Sequence, residues 1–176
     1  RGWYCTACEK FYSESEYINV NNTPTCPIHQ RPLEYIEEDT YFLKLSMFKD
    51  YILKVLRDED IVYPKHYGDE VATKVEIEGL QDLSIARPKS RVSWGIELPF
   101  DNRYVVYVWI DALLNYLTGL GYPKDLERIK RYWKNSIQLI GKDILWFHTA
   151  IWFSLLAMLD LPPPKKLVVH SYLTIK

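Results

Sequence analysis

The chain is short of three things. Cysteine occurs three times in 176 residues, and an odd number suits a framework of paired disulfides poorly. Charge of one sign is missing as well: 22 basic and 23 acidic residues leave a formal −1. That balance argues against a protein that coats nucleic acid generally, since such binding rests on many phosphate contacts, though it leaves room for a local basic patch. Long apolar runs are also lacking. The longest, Ile144 to Leu161, is interrupted by His148, Thr149, Ser154 and Asp160. A membrane helix needs roughly 17–25 predominantly apolar residues, so the interruptions, with Lys142-Asp143 at the start, favour a buried core helix and no membrane partner. There are no repeats or low-complexity tracts. The chain begins at Arg1 with no charged-then-apolar leader, and Leu173-Thr174-Ile175-Lys176 reads as the inside of a strand. These ends predict a piece of a longer polypeptide.

What is present is a hydrophobic fraction of 48 %, ordinary for a core, and an aromatic fraction of 15 %, mostly tyrosine and tryptophan. The length suits one domain or two small ones.

The cysteines have a pattern. Cys5-x-x-Cys8 and Cys26-x-x-His29 are two short chelating turns, 17 residues apart. Three thiolates and one imidazole make a closed tetrahedral set for zinc, and every cysteine is used. A redox Cys-x-x-Cys pair would leave the second turn unexplained. Four protein ligands leave no position for water, so the predicted role of Zn2+ is structural. Residues 1–40 carry few aliphatic side chains, and metal binding then supplies much of their folding energy, on the order of 10 kcal/mol.

Further along, the spacing of Phe48, Tyr51, Ile52, Val55 and Leu56 predicts a helix capped by Ser46. A second helix is expected from after Asp69 to Gly79, a good residue to end one. Tyr104 to Trp109 reads as a strand breaking at Asp111, which stands where a helix takes an N-cap acceptor. A helix follows from Ala112 to Leu120, then a charged, exposed one from Pro123 to Asn135. Ile137 to Ile140 reads as a buried strand, with a long helix from Gly141 to Asp160 and a strand at Leu167 to His170. This order implies a parallel sheet. A strand, Gly141 and a helix N-terminus form a natural anion and ribose site, where Asp143 either accepts from ribose hydroxyls, caps its helix, or does both.

The run Trp109-Ile110-Asp111-Ala112-Leu113-Leu114-Asn115-Tyr116 resembles the amino-acid pocket of the methionyl-tRNA synthetases, a family of class I aminoacyl-tRNA synthetases. Other landmarks share that resemblance in order. Gly2 to Tyr12 looks like the single-knuckle form of the family's zinc insert. Asp82-Leu83-Ser84-Ile85-Ala86-Arg87 is similar to its "DLSISR" segment, with Ala86 for a serine. Trp94-Gly95-Ile96-Glu97-Leu98-Pro99 matches "WGI-x-x-P", and Phe147 to Trp152 resembles the "FHAIxW" helix. Phe153 stands where many relatives have proline, Ser171 where glycine is usual, and Leu113 where some members have proline.

The resemblance implies an α/β fold: a partial Rossmann-like parallel sheet, the second half of a class I synthetase core, preceded by a zinc-knuckle connective-peptide domain. It divides the chain into residues 1–100, with the knuckle at about 1–40, and residues 101–176. It implies a methionine pocket of Trp109, Ala112, Leu113, Tyr116, Ile144 and His148. Arg87 would face the ATP phosphates or the amino-acid carboxylate as the catalytic cation; on composition alone, Arg87, Lys89 and Arg91 read as a solvated basic loop. ATP or adenylate would meet Glu97, Gly141 and Asp143. The implied activity is methionine–tRNA ligation in the cytoplasm, with methionine, ATP with Mg2+ and tRNA(Met) as substrates. The implied partners are parts of the synthetase bearing the "HIGH" and "KMSKS" motifs and the anticodon-binding domain, without which this segment is inactive. A non-catalytic zinc-stabilised RNA- or protein-interaction module and a subunit of a split synthetase are the competing readings.

Overall fold

The computed structural model describes residues 2–8, 10–14, 16–37, 39–58 and 60–172. The strand expected at residues 173–176 lies outside them. The chain divides into two compact units, Arg1–Thr40 and Tyr41–Lys176.

In the first unit, strands β1 (Gly2–Cys5), β2 (Lys10–Tyr12), β3 (Ile18–Val20), β4 (Thr23–Thr25) and β5 (Glu34–Ile36) form two small antiparallel sheets, β2-β1-β5 and β3-β4. Asn21 and Asn22, both at positive φ (50° and 61°), make the tight turn between β3 and β4, a conformation asparagine tolerates well. The buried core consists of Cys5, Tyr12, Cys26 and Leu33, with Trp3, Cys8 and Tyr17 against it. One buried aliphatic side chain is far too little apolar area to hold such a unit.

The second unit opens with β6 (Phe42–Leu43) and a 3₁₀ turn at Leu45–Phe48, then α1 (Lys49–Asp58), β7 (Val62–Tyr63) and α2 (Lys65–Glu78). β8 (Leu83–Ser84) pairs with β6. β9 (Ala86–Pro88), β10 (Glu97–Leu98) and β11 (Asp101–Val106) form an antiparallel sheet in the order β10-β11-β9. Then come α3 (Val108–Thr118), α4 (Leu126–Tyr132), β12 (Ile137–Gly141), α5 (Trp152–Met158) and β13 (Lys166–His170). β12, β13 and β7 make a parallel sheet, with Gly141 opposite His170 and Leu167 opposite Val62. The fold is therefore mixed α/β with a parallel sheet, as the element order implies. Gln138, Ile140, Leu167 and Val169 point into the core, where Trp152, Phe153, Leu113 and Leu117 are fully buried. No helix among the described residues is long and apolar enough to cross a membrane.

Several boundaries differ from expectation. Ser46 does not cap α1: its N–H and hydroxyl both donate to Asp82 Oδ1, at 3.1 and 2.7 Å, and the 3₁₀ turn intervenes. α2 starts one turn early, behind Pro64, because Asp69 is engaged by Arg57 (3.1 Å) rather than by a helix end. It ends as expected, with Gly79 at φ 76° donating to Val75 O. β11 stops at Val106 and α3 begins at Val108, so Trp109 is helical and Asp111 lies exposed in the first turn instead of capping it. The reason is the helical period: Ile110, Leu113, Leu114 and Leu117 already make the i, i+3, i+4, i+7 stripe, and it outweighs the strand propensity of Val108 and Trp109. α4 is capped by Asp125, whose carboxylate accepts from Arg128 N–H at 2.9 Å. It is less exposed than its charges suggest, since Ile129 and the following Trp133 are buried. The long helix after Gly141 is three pieces: a 3₁₀ turn at Lys142–Ile144, a π-helical turn at Phe147–Ile151, and α5.

Candidate functional site

The first unit gathers its four sulfur and imidazole ligands. One donor atom each from Cys5, Cys8, Cys26 and His29 lies within 4.8 Å of the others. Cys8 Sγ is 3.5 Å from Cys26 Sγ and 3.0 Å from His29 Nδ1, and Cys26 Sγ is 3.8 Å from that nitrogen. Metal–sulfur bonds near 2.3 Å and metal–nitrogen bonds near 2.0 Å place ligand atoms about 3.5–3.8 Å apart in a tetrahedron. The separations of 3.0–3.8 Å lie near that spacing, and the three-sulfur, one-nitrogen donor set suits a zinc-sized ion. The thiolate is the ligating form. Burial pushes the Cys26 thiol up, but the His29 backbone N–H (3.4 Å from the sulfur), the Tyr12 hydroxyl and the His29 ring outweigh it and bring the pKa down to about 5.

The second unit gathers an aromatic cluster from α3 and the π turn. Trp109 stacks flat on Phe147, and His148 meets the same indole edge-on at 6.1 Å. Thr149 Oγ1 donates to Leu145 O (2.8 Å) within that turn, a bond that favours bending.

His148 is 2 % exposed. Its burial lowers its pKa, against the opposing pull of Ile144 O, and keeps the ring neutral. A carbonyl only accepts, so Nδ1–H donates to Ile144 O at 3.0 Å. Nε2 is then the lone pair, and the Tyr116 hydroxyl, 3.0 Å away, donates to it. Burial raises the Tyr116 pKa and keeps that proton in place.

Of the six pocket residues read from the sequence, Trp109, Tyr116, Ile144 and His148 come together. Leu113 is in the core beneath α3, and Ala112 is exposed. At the carboxyl end of β12, Gly141 and Asp143 form one feature. A Cβ on Gly141 would sit 2.6 Å from Asp143 Oδ1, so the bare glycine makes room for the carboxylate. Ligands of open α/β sheets bind at such strand ends. Arg87 and Glu97 lie on the antiparallel sheet. Arg87 is 6 % exposed, donates to Ser84 O, Ser84 Oγ and Ala86 O at 3.0–3.2 Å, and stacks on Tyr107 at 4.2 Å. It is no solvated loop cation. Glu97 is exposed and paired with Lys89.

Two residues at these sites carry no role in the sequence reading. Phe147 could be found from its place beside His148. Tyr12, at the sulfur cluster, offers no signal in spacing, because aromatic residues are common throughout residues 1–40.

A sulfur-rich knuckle, an aromatic cluster and a parallel sheet in one α/β chain are the outline of a class I aminoacyl-tRNA synthetase. The family model described as tRNA synthetases class I (M) matches residues 1–176, and the chain belongs to that family. It is 42 % identical, over 99 % of its length, to a methionine–tRNA ligase of Caldanaerobacter subterraneus subsp. tengcongensis, of which it covers 27 %. It is 39 % identical to a Thermotoga maritima methionine–tRNA ligase, covering 28 % of it. The crystal structure of Mycobacterium tuberculosis methionyl-tRNA synthetase bound by methionyl-adenylate superposes on 98 % of this chain, with a TM-score of 0.85 and 37 % identity, over 34 % of that protein. The chain thus spans about a quarter to a third of the proteins it matches. A non-catalytic zinc module is not favoured.

Proposed function

We propose that this chain is the central segment of an enzyme that activates methionine with ATP and transfers it to tRNA(Met) in the cytoplasm. The observation that carries the proposal is the clustering of Trp109, Phe147, Tyr116 and His148, read as the wall of a methionine pocket. Its stacked rings offer a polarizable wall suited to a thioether, which gains roughly 0.3–1.5 kcal/mol from an aromatic neighbour. Its polar pair, buried His148 and half-exposed Tyr116, is neutral, so it imposes no ionic partner on the ligand.

In this reading the methionine carboxylate attacks the ATP α-phosphate, pyrophosphate leaves, and the acyl group passes from the adenylate to the tRNA acceptor end. Catalysis by such an enzyme is mostly positioning and electrostatic stabilisation of phosphate charge. Arg87, a cation fixed by its carbonyl contacts, is the residue of this chain suited to the α-phosphate or the carboxylate. Gly141 and Asp143 suit the ribose, and Glu97 the adenosine side. ATP enters with Mg2+. The "HIGH" and "KMSKS" segments do not occur in these 176 residues, so the isolated chain is inactive and they come from other parts of the enzyme, as does the anticodon-binding domain. Residues 1–100 are assigned to the connective peptide and 101–176 to the catalytic fold. The four ligands Cys5, Cys8, Cys26 and His29 hold structural zinc, which cross-links a unit lacking an apolar core.

The test is amino-acid-dependent ATP–pyrophosphate exchange by the full-length protein across a panel of amino acids. Exchange with methionine alone is expected; exchange with another amino acid, or with none, overturns the assignment.

A further inference from the structure

Tyr12 is 6 % exposed in a unit whose core holds little else but sulfur and rings. Pairing of β1 with β2 sets it opposite Trp3. Its hydroxyl oxygen lies 3.2 Å from Cys8 Sγ and 3.5 Å from Cys26 Sγ. One phenol therefore touches sulfurs from both chelating turns, which no backbone group is shown to do. The His29 backbone N–H reaches Cys26 alone.

Three thiolates around a divalent ion leave the cluster with a net negative charge. Metal-bound thiolates carry no proton, so at each O···S contact the phenol is the only possible donor. Its single O–H is shared between two sulfurs, the Cys8 one half-buried and the Cys26 one buried, where an uncompensated charge is costly. Groups that hydrogen-bond a metal's ligands orient them and tune their basicity.

We infer that the Tyr12 hydroxyl is a hydrogen-bond donor to the Cys8 and Cys26 thiolates, and that it sets both the affinity of the cluster for its ion and the electron density on its sulfurs. This rests on the reading of the cluster as a metal site. Tyr12 ligates nothing; it acts through the two cysteines.

The experiment compares the wild-type chain with Tyr12→Phe, which keeps the ring and removes the hydroxyl. Tyr17→Phe serves as control, since its ring packs edge-on against Trp3 at 6.2 Å in the same unit. Zinc affinity is read by chelator competition, and cobalt(II) is loaded as a spectroscopic probe. Tyr12→Phe is expected to bind zinc roughly 10–100-fold more weakly. It should also move the sulfur-to-cobalt charge-transfer band to lower energy, because sulfurs without a donor give up electrons more easily. Tyr17→Phe should leave both unchanged. A structural role alone would not move the band. A second measurement needs no variant: wild-type protein loaded with NMR-active cadmium should show scalar coupling between the metal and the Tyr12 hydroxyl proton across the O–H···S bond. Equal affinity and an unmoved band in Tyr12→Phe, or no such coupling in the wild type, overturns the inference. Failure of the wild type to bind zinc, cobalt or cadmium overturns the metal site itself.

Discussion

Trp109 and Phe147 stack face to face, with ring centroids 4.0 Å apart and planes within 5° of parallel. Trp109 belongs to the first turn of α3 and Phe147 to the π turn before α5, so the stack ties the two helical segments that carry the proposed methionine site. Aromatic pairs are worth about 0.5–1.5 kcal/mol beyond the area they bury. Phe147→Ala should therefore raise KM for methionine in the exchange assay by roughly three- to tenfold, with KM for ATP unchanged. An unaltered methionine KM would detach Phe147 from the pocket.

The Tyr116–His148 bond makes a second demand. Tyr116→Phe removes the hydroxyl that donates to Nε2 and leaves a buried acceptor without that partner, at a cost of about 1–3 kcal/mol. Thermal unfolding should show that loss as a lower Tm. An unchanged Tm would mean that Nε2 is satisfied in another way.

His148 also gives stability a pH dependence. Burial holds its folded-state pKa below the ordinary histidine value, about 6.5 in an unfolded chain. Between those two values the unfolded state binds more protons, so stability rises with pH there. The contribution is fully present above pH ~6.5, falls as pH drops below it, and levels off beneath the folded-state pKa. Denaturant titrations over this range should show the slope in the wild type and a shallower one in His148→Gln. Equal slopes would assign the dependence to other groups.

Much of this was legible in the residues, and the exceptions share a cause. The four metal ligands could be read because chelation demands short, fixed spacings, which survive any change in the surrounding fold. The parallel β12–β13 pair followed from a strand, a helical crossover and another strand. The start of α3 did not, because Val108 and Trp109 favour strands locally while the stripe from Ile110 to Leu117 is satisfied only when packed. The π turn was invisible because it is a matter of backbone hydrogen-bond spacing, which no pattern of side chains announces. β7 escaped notice for a simpler reason, its two residues being too short for any periodicity.

Gly141 offers a test at the opposite side of the proposed chemistry. A methyl group there would lie 2.6 Å from Asp143 Oδ1, closer than atoms can approach without moving. Gly141→Ala should push the carboxylate aside, raising KM for ATP while leaving that for methionine. Asp143→Ala should act in the same direction without the steric strain. If the methionine KM moves instead, the strand end serves the amino acid rather than the nucleotide.

The knuckle allows a separation by unit. Among the described residues of 1–40, Leu33 is the one aliphatic side chain in the buried core beyond sulfurs and rings, whereas those of 41–176 have a large apolar core. Stripping the metal should therefore collapse hydrogen-exchange protection in β1, β2 and β5 while the amides of α1, α2, β12 and β13 stay protected. The size of the loss follows from the source of the stability: structural zinc supplies on the order of 10 kcal/mol of folding energy in small knuckles, more than so small a core can replace. Refilling with zinc should restore protection. Protection that persists in the knuckle after complete removal would show that its strand pairs and the Trp3–Tyr35 contact at 5.1 Å suffice, and that the ion is not what holds the unit together.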